Sequence, residues 1–484
     1  MYILDETKPH QKYFEEMTRI PHGTCQEKRY ADYLEDFARQ RGLSFVRDAM
    51  DNVVIYQKGT PGYENLPPVI LQAHTDMVCE KNQDCGHNFE TDALDIYVED
   101  GYVKARGTTL GADDGVGCAY MLAILDSELP HPPLECAFTV QEEIGLKGAF
   151  ALKPEYFQGK RYLNLDFGGL GNATGITSAG GILADITRPV SFAENTMPAY
   201  RIFVTGLSGG HSGSSIHKEK GNALKICARL LEAARQEGAF RLVRLEGGEK
   251  CNAIPRECEA VFASSVPQPR LREVLETLAE QIRREFRFQE PGLTVLAEPF
   301  AQPAPEALSE EESLAALRLF YLLPTGVRGR SVEIEGLITA SENLASVRMN
   351  REALEFQYCI RAEKRSVQEQ METELEMLAQ LCGARIRTYS YFPSWEYNPD
   401  SQVRKVLTEA YREQTGREME QLASHIGLEC GVFCSLIPGL DVATLGALTE
   451  NAHTPEERLH LASFDSTFDV LAAFLKKLGP EETQ

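Results

Sequence analysis

Apolar positions recur along this chain at two periods, and the order in which the periods alternate predicts its architecture. The segments "YFEEMTRI" and "EKRYADYLEDFARQRG" carry helical apolar spacing, the second closing at Gly42, and "SFVRDAMDNVVIYQKG" then alternates as strands do. There follow a strand in "PPVILQAH", a helix in "DDGVGCAYMLAILDSE", and strands in "LECAFTV" and "RYLNLD". Strands that alternate with helices predict an α/β fold with a mostly parallel sheet and helices on both faces. The pattern changes after about residue 186. "AYRIFVTGLSGG", "ECEAVFASS" and "ALEFQYCIRAEK" read as strands, while "GNALKICARLLEAARQEG" and "LREVLETLAEQIRREF" read as amphipathic helices, which makes a separate α+β block. Helical spacing resumes in "VRKVLTEAYREQTG", "GLDVATLG" supplies another buried strand, and "STFDVLAAFLKKLG" reads as a helix started by Ser/Thr and closed by Lys and Gly. The expected division is a discontinuous first domain, 1–186 with 388–484, interrupted by a second at 187–387.

Composition agrees with two domains, because 484 residues exceed what one hydrophobic core normally organises and 43% of them are hydrophobic. With 49 Lys+Arg against 72 Asp+Glu, the net charge of -23 disfavours a nucleic-acid backbone or an anionic membrane as partner. "MYILDETKPHQKYFEEM" has no basic stretch followed by an apolar one, and no segment approaches a membrane span, so a soluble cytosolic protein is expected. The twelve cysteines are scattered, often within apolar runs, and read as small hydrophobes. Cys430 and Cys434 are the one close pair, and they lack the second pair that a structural zinc site would need.

What changes the picture is the way the strands end. The run "VILQAH" stops at His74 and presents Asp76 two residues later. Similar side chains follow the other α/β segments: Asp113 and Asp114 in "GTTLGADDGVG", Glu142 and Glu143 in "VQEEIG", Asp166 in "LNLD", and His453 in "ENAHTPEE". Singly, each has an ordinary explanation as a turn residue, a helix cap or solvated surface. Together they sit where the C-terminal edges of a parallel sheet share one crevice. Imidazole and carboxylate donors without thiolate suit zinc or manganese, with an open coordination position left for water.

In these motifs and their order the sequence resembles the aminoacyl-histidine dipeptidases, the cytosolic non-specific or carnosinase-like enzymes of the di-zinc peptidase and deacylase family. The resemblance runs through "LQAHTDMVCEK", "GTTLGADDGVG", "QEEIGLKGA", "LNLD", "GLSGGHSGSSIHKEKGNALK", "KCNAIPRECEAVF", "IGLECGVF" and "NAHTPEERL", nearly the whole chain. It implies that 1–186 with 388–484 form the catalytic domain and 187–387 a substrate-binding lid. It further implies two divalent metal ions, zinc before manganese or cobalt. His74 and Asp166 would hold one, Glu143 and His453 the other, and Asp113 would bridge them. Glu142 would be the general base and Asp76 the partner that orients His74. A cis peptide after Asp113 is also implied. His211 would stabilise the oxyanion from the lid, and Asn252 and Arg361 would bind the substrate's backbone or C-terminal carboxylate.

The resemblance has departures. After Asp166 the family's acidic continuation is replaced by "FGGLGNATGITSAGG"; "AEKRS" follows Arg361; Lys220 and Gly221 replace an Arg and a small residue; and Ala447 stands where Pro is common. None is a proposed ligand or the base, so hydrolysis of an unblocked Xaa-His-type dipeptide, β-alanyl-histidine included, remains the leading expectation. A deacylase or a peptidase of different length preference on the same scaffold is the alternative, and a non-catalytic peptide-binding relative comes last. Relatives in the family are often homodimers; the sequence itself leaves the oligomeric state open.

Overall fold

The computed structural model describes residues 2–479, which divide into two compact units: 2–178 with 395–423 and 428–479, and 179–394 with 424–427. The change of pattern near 186 falls inside the strand Gly180–Pro189, which belongs wholly to the second unit.

The first unit is built on a six-stranded sheet. Its spatial order is Ser44–Arg47, Val53–Gln57, Leu134–Thr139, Val69–His74, Arg161–Asn164 and Asp441–Thr444. The last four run parallel, and the two strands at the other edge pair antiparallel. Val69–His74 and Leu134–Thr139 are buried at every position, which explains why they read as unbroken apolar runs rather than alternating ones. The helix Ala112–Leu125 is likewise buried at every residue except Asp113, so it is a core helix and not an amphipathic surface one. Phe14, Tyr30, Leu71, Tyr120, Phe138, Phe464 and Phe474 fill the same core. Four short antiparallel segments, Thr449–Glu450, Arg458–His460, Tyr102–Ala105 and Ile96–Glu99, form a smaller sheet. Their period is too short to register in the sequence.

The second unit carries a nine-stranded antiparallel sheet, with the long strands Ile338–Met349, Ala353–Ala362 and Gly180–Pro189 adjacent to one another. Helix Gln268–Glu285 buries Leu271, Leu275, Ala279 and Ile282, a stripe at the expected spacing. Asn222 caps helix Ala223–Gln236, its side chain accepting from the backbone N–H groups of Leu224 and Lys225.

One expectation needs correction. The final helix does not start at a Ser/Thr of "STFDVL" but spans Leu461–Lys477, and its N-cap is His460, whose Nδ1 accepts from the Ser463 N–H at 3.2 Å. An imidazole lone pair satisfies an orphan amide as a hydroxyl would. The earlier start also brings Phe464 into the core.

Candidate metal centre

The parallel strands bring the chemistry to one edge. His74 is the last residue of its strand, the Glu142–Glu143 pair follows Leu134–Thr139 by way of Gln141 in a left-handed conformation (φ 52°), and Asp166 lies two residues beyond Arg161–Asn164. Asp113 opens the core helix, and its peptide bond to Asp114 is cis, as the resemblance implied. His453 stands on the loop between Thr449–Glu450 and Arg458–His460, with a φ of 65°.

His74 is 1% exposed and has one ring nitrogen for each side of its task. Nδ1 lies 2.9 Å from the Asp76 carbonyl oxygen, so a proton there directs the Nε2 lone pair outward. Nε2 is 3.1 Å from Asp113 Oδ1 and 3.9 Å from Asp166 Oδ2. His453 Nε2 is 3.2 Å from Asp113 Oδ2 and 2.9 Å from Glu143 Oε1. Asp113 therefore offers one oxygen to each half of the site. The donor atoms of His74, Asp113 and Asp166, and those of Asp113, Glu143 and His453, each lie within 4.8 Å of one another; so do those of His74, Glu142 and Glu143. Two donors bound at about 2.1 Å to one tetrahedral ion sit about 3.4 Å apart, so these spacings need little adjustment to receive a divalent cation. The charges ask for one. Among the described residues the ion-pair partners of Asp113, Glu143 and Asp166 are the two histidines, so three carboxylates face two imidazoles.

Electrostatics set Asp113 apart from Glu142 and Asp166. Burial pushes the Glu142 carboxyl from 4.5 up to about 8, with Glu429, Glu143 and Asp113 adding to the rise. Asp166 is likewise raised well above its usual range, burial first and the Asp113 and Asp114 charges next. Against its own desolvation, Asp113 is held below the usual carboxylate range by its hydrogen bonds to His453 and His74. Hydrogen bonds to Asp113 and Glu143 lift His453 to about 10. A bound cation would take over the role of those imidazole protons.

Asp76 meets the centre through both its main chain and its side chain. The Asp76 carboxylate is not the closest partner of His74, since Oδ1 stands 3.6 Å from Nδ1 while the Asp76 carbonyl is at 2.9 Å. Its oxygens accept instead from the backbone N–H groups of Glu142 (2.9 Å) and Glu143 (3.4 Å) and from the Thr24 hydroxyl. Glu27 Oε1 accepts from the preceding Gln141 N–H. Two carboxylates thus hold three consecutive amides, and with them the glutamate pair. Asp114 accepts from the Gly117 N–H within its own helix turn and belongs to none of the donor groups. Sequence reasoning passed over Glu27, Glu429 and Glu457. Glu429 is buried, with Oε2 accepting from Gln72 and Thr139, and burial raises it to about 7. The Glu456–Glu457 doublet after His453 had the same form as Glu142–Glu143 and was the available signal.

In the second unit, His211 pairs with Ala253 on short strands beside Asn252. Its Nδ1 accepts from the N–H groups of Gly213 and Ser214, which leaves Nε2 to carry the proton. Burial, with the Arg361 charge, keeps the ring below its ordinary pKa and so neutral. Arg361 is 7% exposed on strand Ala353–Ala362, and its Nε has no hydrogen-bond partner among the described residues. The Asn252 side chain is exposed, while its carbonyl accepts from Ser212.

The model of Peptidase family M20/M25/M40 matches residues 70–477. The cytosol non-specific dipeptidase of Escherichia coli (strain K12) is 33% identical over 471 residues, 96% of each chain. The crystal structure of aminoacylhistidine dipeptidase from Vibrio alginolyticus superposes with a TM-score of 0.92 at 32% identity, covering 98% of this chain and 97% of that one. Aminopeptidase PepT from Bacillus cereus shares the fold at a TM-score of 0.56 and 16% identity, covering 99% of this chain and all of its own. On the family match and the near full-length identity, the chain belongs to peptidase family M20/M25/M40.

Proposed function

We propose that this protein is a metal-dependent dipeptidase that hydrolyses unblocked dipeptides of the Xaa-His type. The observation that carries the reading is Asp113, whose two carboxylate oxygens serve two separate donor groups while Glu142 stands beside them with a raised pKa. His74 and Asp166 would hold one ion and Glu143 and His453 the other, with Asp113 shared. Zinc is the first candidate and manganese or cobalt the alternatives. Such ions, when bound, lower the pKa of water and polarise a carbonyl. Glu142 Oε then accepts the proton of the attacking water and returns it to the leaving amine. Asp76 acts through the Glu142 and Glu143 amides, and keeps the base and the neighbouring ligand at a constant separation. His211, with a neutral ring whose Nε2 is a donor, is proposed to stabilise the developing oxyanion. Arg361 and Asn252 are proposed to bind the substrate's carboxylate and backbone.

The substrate class follows the names of the two dipeptidases above, and the cytosol is the proposed compartment on the name of the E. coli relative. None of the described helices is long and apolar enough to cross a membrane. The test is a panel of β-alanyl-histidine, glycyl-histidine, leucyl-leucine, an N-acetylated analogue and a tripeptide, with metal-loaded protein and its Glu142→Ala variant. Cleavage of unblocked dipeptides that the substitution abolishes supports the reading. Preference for the acetylated or the longer substrate replaces it with a deacylase or a short-peptide peptidase, and no turnover at all with metal bound rejects it.

A further inference from the structure

We infer that Glu457 is a positioning residue that locks the His453 loop to the turn bearing Asp113, and so sets the spacing between the two halves of the metal centre. The inference rests on the proposed metal centre and extends it to a residue outside the ligand set.

Glu457 is 2% exposed, a burial that a carboxylate tolerates only when its oxygens are satisfied. Both are. Oε2 accepts from the N–H groups of Leu110 (2.7 Å) and Gly111 (3.0 Å), and Oε1 from those of Ala112 (2.8 Å) and Asp113 (3.3 Å). Four consecutive amides at the start of the core helix converge on one side chain. They lie at and just before the first turn, where N–H groups have no intrahelical partner, and an anion is their natural complement. Gly111, with a φ of 70°, allows the chain to curl so that all four point the same way.

Glu457 also stands at the base of a small hairpin. Thr449 pairs with Leu459 and Glu450 with Arg458, and Arg458 and Glu450 also form an ion pair. Within the loop they enclose, the Thr454 hydroxyl donates to the Asn451 carbonyl and the Glu457 N–H to the Thr454 carbonyl. His453 sits at the tip, and Leu459 at the foot pairs with Val103. The carboxylate therefore joins the hairpin to the Asp113 turn four residues away from the ligand the hairpin carries. Through this joint His453 Nε2 stands 3.2 Å from Asp113 Oδ2, while Asp113 Oδ1 faces His74. With the joint cut, the two ligands would move independently, and a shared ion would bind less tightly.

The experiment is metal titration of the full chain against a competing chelator, together with steady-state kinetics on the best dipeptide. The Glu457→Gln variant keeps the side-chain shape and replaces one acceptor oxygen by an NH2 that cannot accept from two of the amides. The control is Glu135→Gln: Glu135 is also a buried carboxylate accepting two amides, those of Gln158 and Gly159, but it lies at the opposite end of strand Leu134–Thr139 from the glutamate pair. Expected is an E457Q protein that holds its first ion, binds the second at least tenfold more weakly, and loses kcat with KM within about threefold. The E135Q protein should melt earlier yet keep both metal affinities within about twofold. Should E457Q fail to fold, E457D, whose shorter carboxylate reaches only part of the amide set, is titrated in its place with the same expectation. Wild-type metal affinities in the Glu457 variant overturn the positioning role while leaving the metal centre intact. Wild-type protein that takes up fewer than two ions overturns the centre and the role together.

Discussion

Replacing Glu142 by Gln distinguishes between two arrangements that the geometry allows. The donor atoms of His74, Glu142 and Glu143 also fall within 4.8 Å of one another, so Glu142 is placed either to hold an ion or to stay free as the base. Gln preserves the volume, and its backbone N–H still donates to Asp76 Oδ1 as Glu142 does at 2.9 Å. Its neutral amide takes no proton. General-base catalysis contributes about 10² to 10⁴ in rate, which at about 1.4 kcal/mol per decade is roughly 3 to 5 kcal/mol of barrier. Burial raises Glu142 to about 8, close enough to neutral pH for a proton to be taken and given up. The expected E142Q protein binds two ions as the wild type does and loses about 10² to 10⁴ in kcat, with KM changed less than about threefold. The wild-type kcat/KM should fall about tenfold per pH unit below the base pKa, which neighbouring cations pull beneath 8, and the variant should lack this acid limb. Steady-state kinetics from pH 5 to 9 and metal analysis of dialysed protein supply the readouts. An E142Q protein that loses an ion along with its activity would refute the reasoning, because Glu142 would then be a ligand; so would one that keeps more than a tenth of the wild-type kcat.

Three further expectations follow from the same geometry. His453→Ala should reduce bound metal from two ions per chain to one, since His74, Asp113 and Asp166 remain together; elemental analysis that still finds two would remove His453 from the ligand set. Arg361→Ala should raise KM about 10- to 100-fold, the worth of a charged hydrogen bond of about 1.5–3 kcal/mol. Amidating the dipeptide's C-terminus should penalise the wild type by a similar factor and the variant hardly at all, and an equal penalty in both would assign the carboxylate to another residue. Glu429 ionises near 4.5 when unfolded but at about 7 when buried in the fold, so its protonated form favours the folded state below 4.5 and that advantage is lost as pH rises through 7. In chelator-treated protein, Glu429→Gln should therefore gain on the order of 3 kcal/mol relative to wild type between pH 4 and pH 8 in urea melts. A difference that stays constant with pH would show that Glu429 is ionised throughout.

The metal-type residues were legible because their signal is local. A fully apolar strand that ends in His74, a doublet at Glu142–Glu143 and an aspartate after "LNL" each fit in a short window, and the parallel sheet gathers strand ends whatever the intervening sequence. Helix Lys28–Arg41 was legible for the same reason, its apolar stripe stopping at Gly42 with a φ of 67°. Asp76 was read as the residue that orients His74, through a carboxylate or a carbonyl, because the two are near neighbours in sequence. In the fold the main-chain carbonyl takes that place and the carboxylate turns to the Glu142 and Glu143 amides. The final helix was misread because His is an uncommon cap and carries no positional signature of its own.

By itself, the sequence determined the inventory of donors and the periodicity of the elements that present them, since both depend on residues within a few positions of one another. Only the tertiary structure decided which carboxylate answers which amide. Glu457 finds Leu110 to Asp113 across almost 350 positions, Glu429 finds Gln72, and Asp76 finds Glu142. An acidic side chain reads the same at every such position. Its partner is chosen by which buried N–H groups the packed sheet and helices leave unsatisfied, a quantity that exists only once the chain has folded.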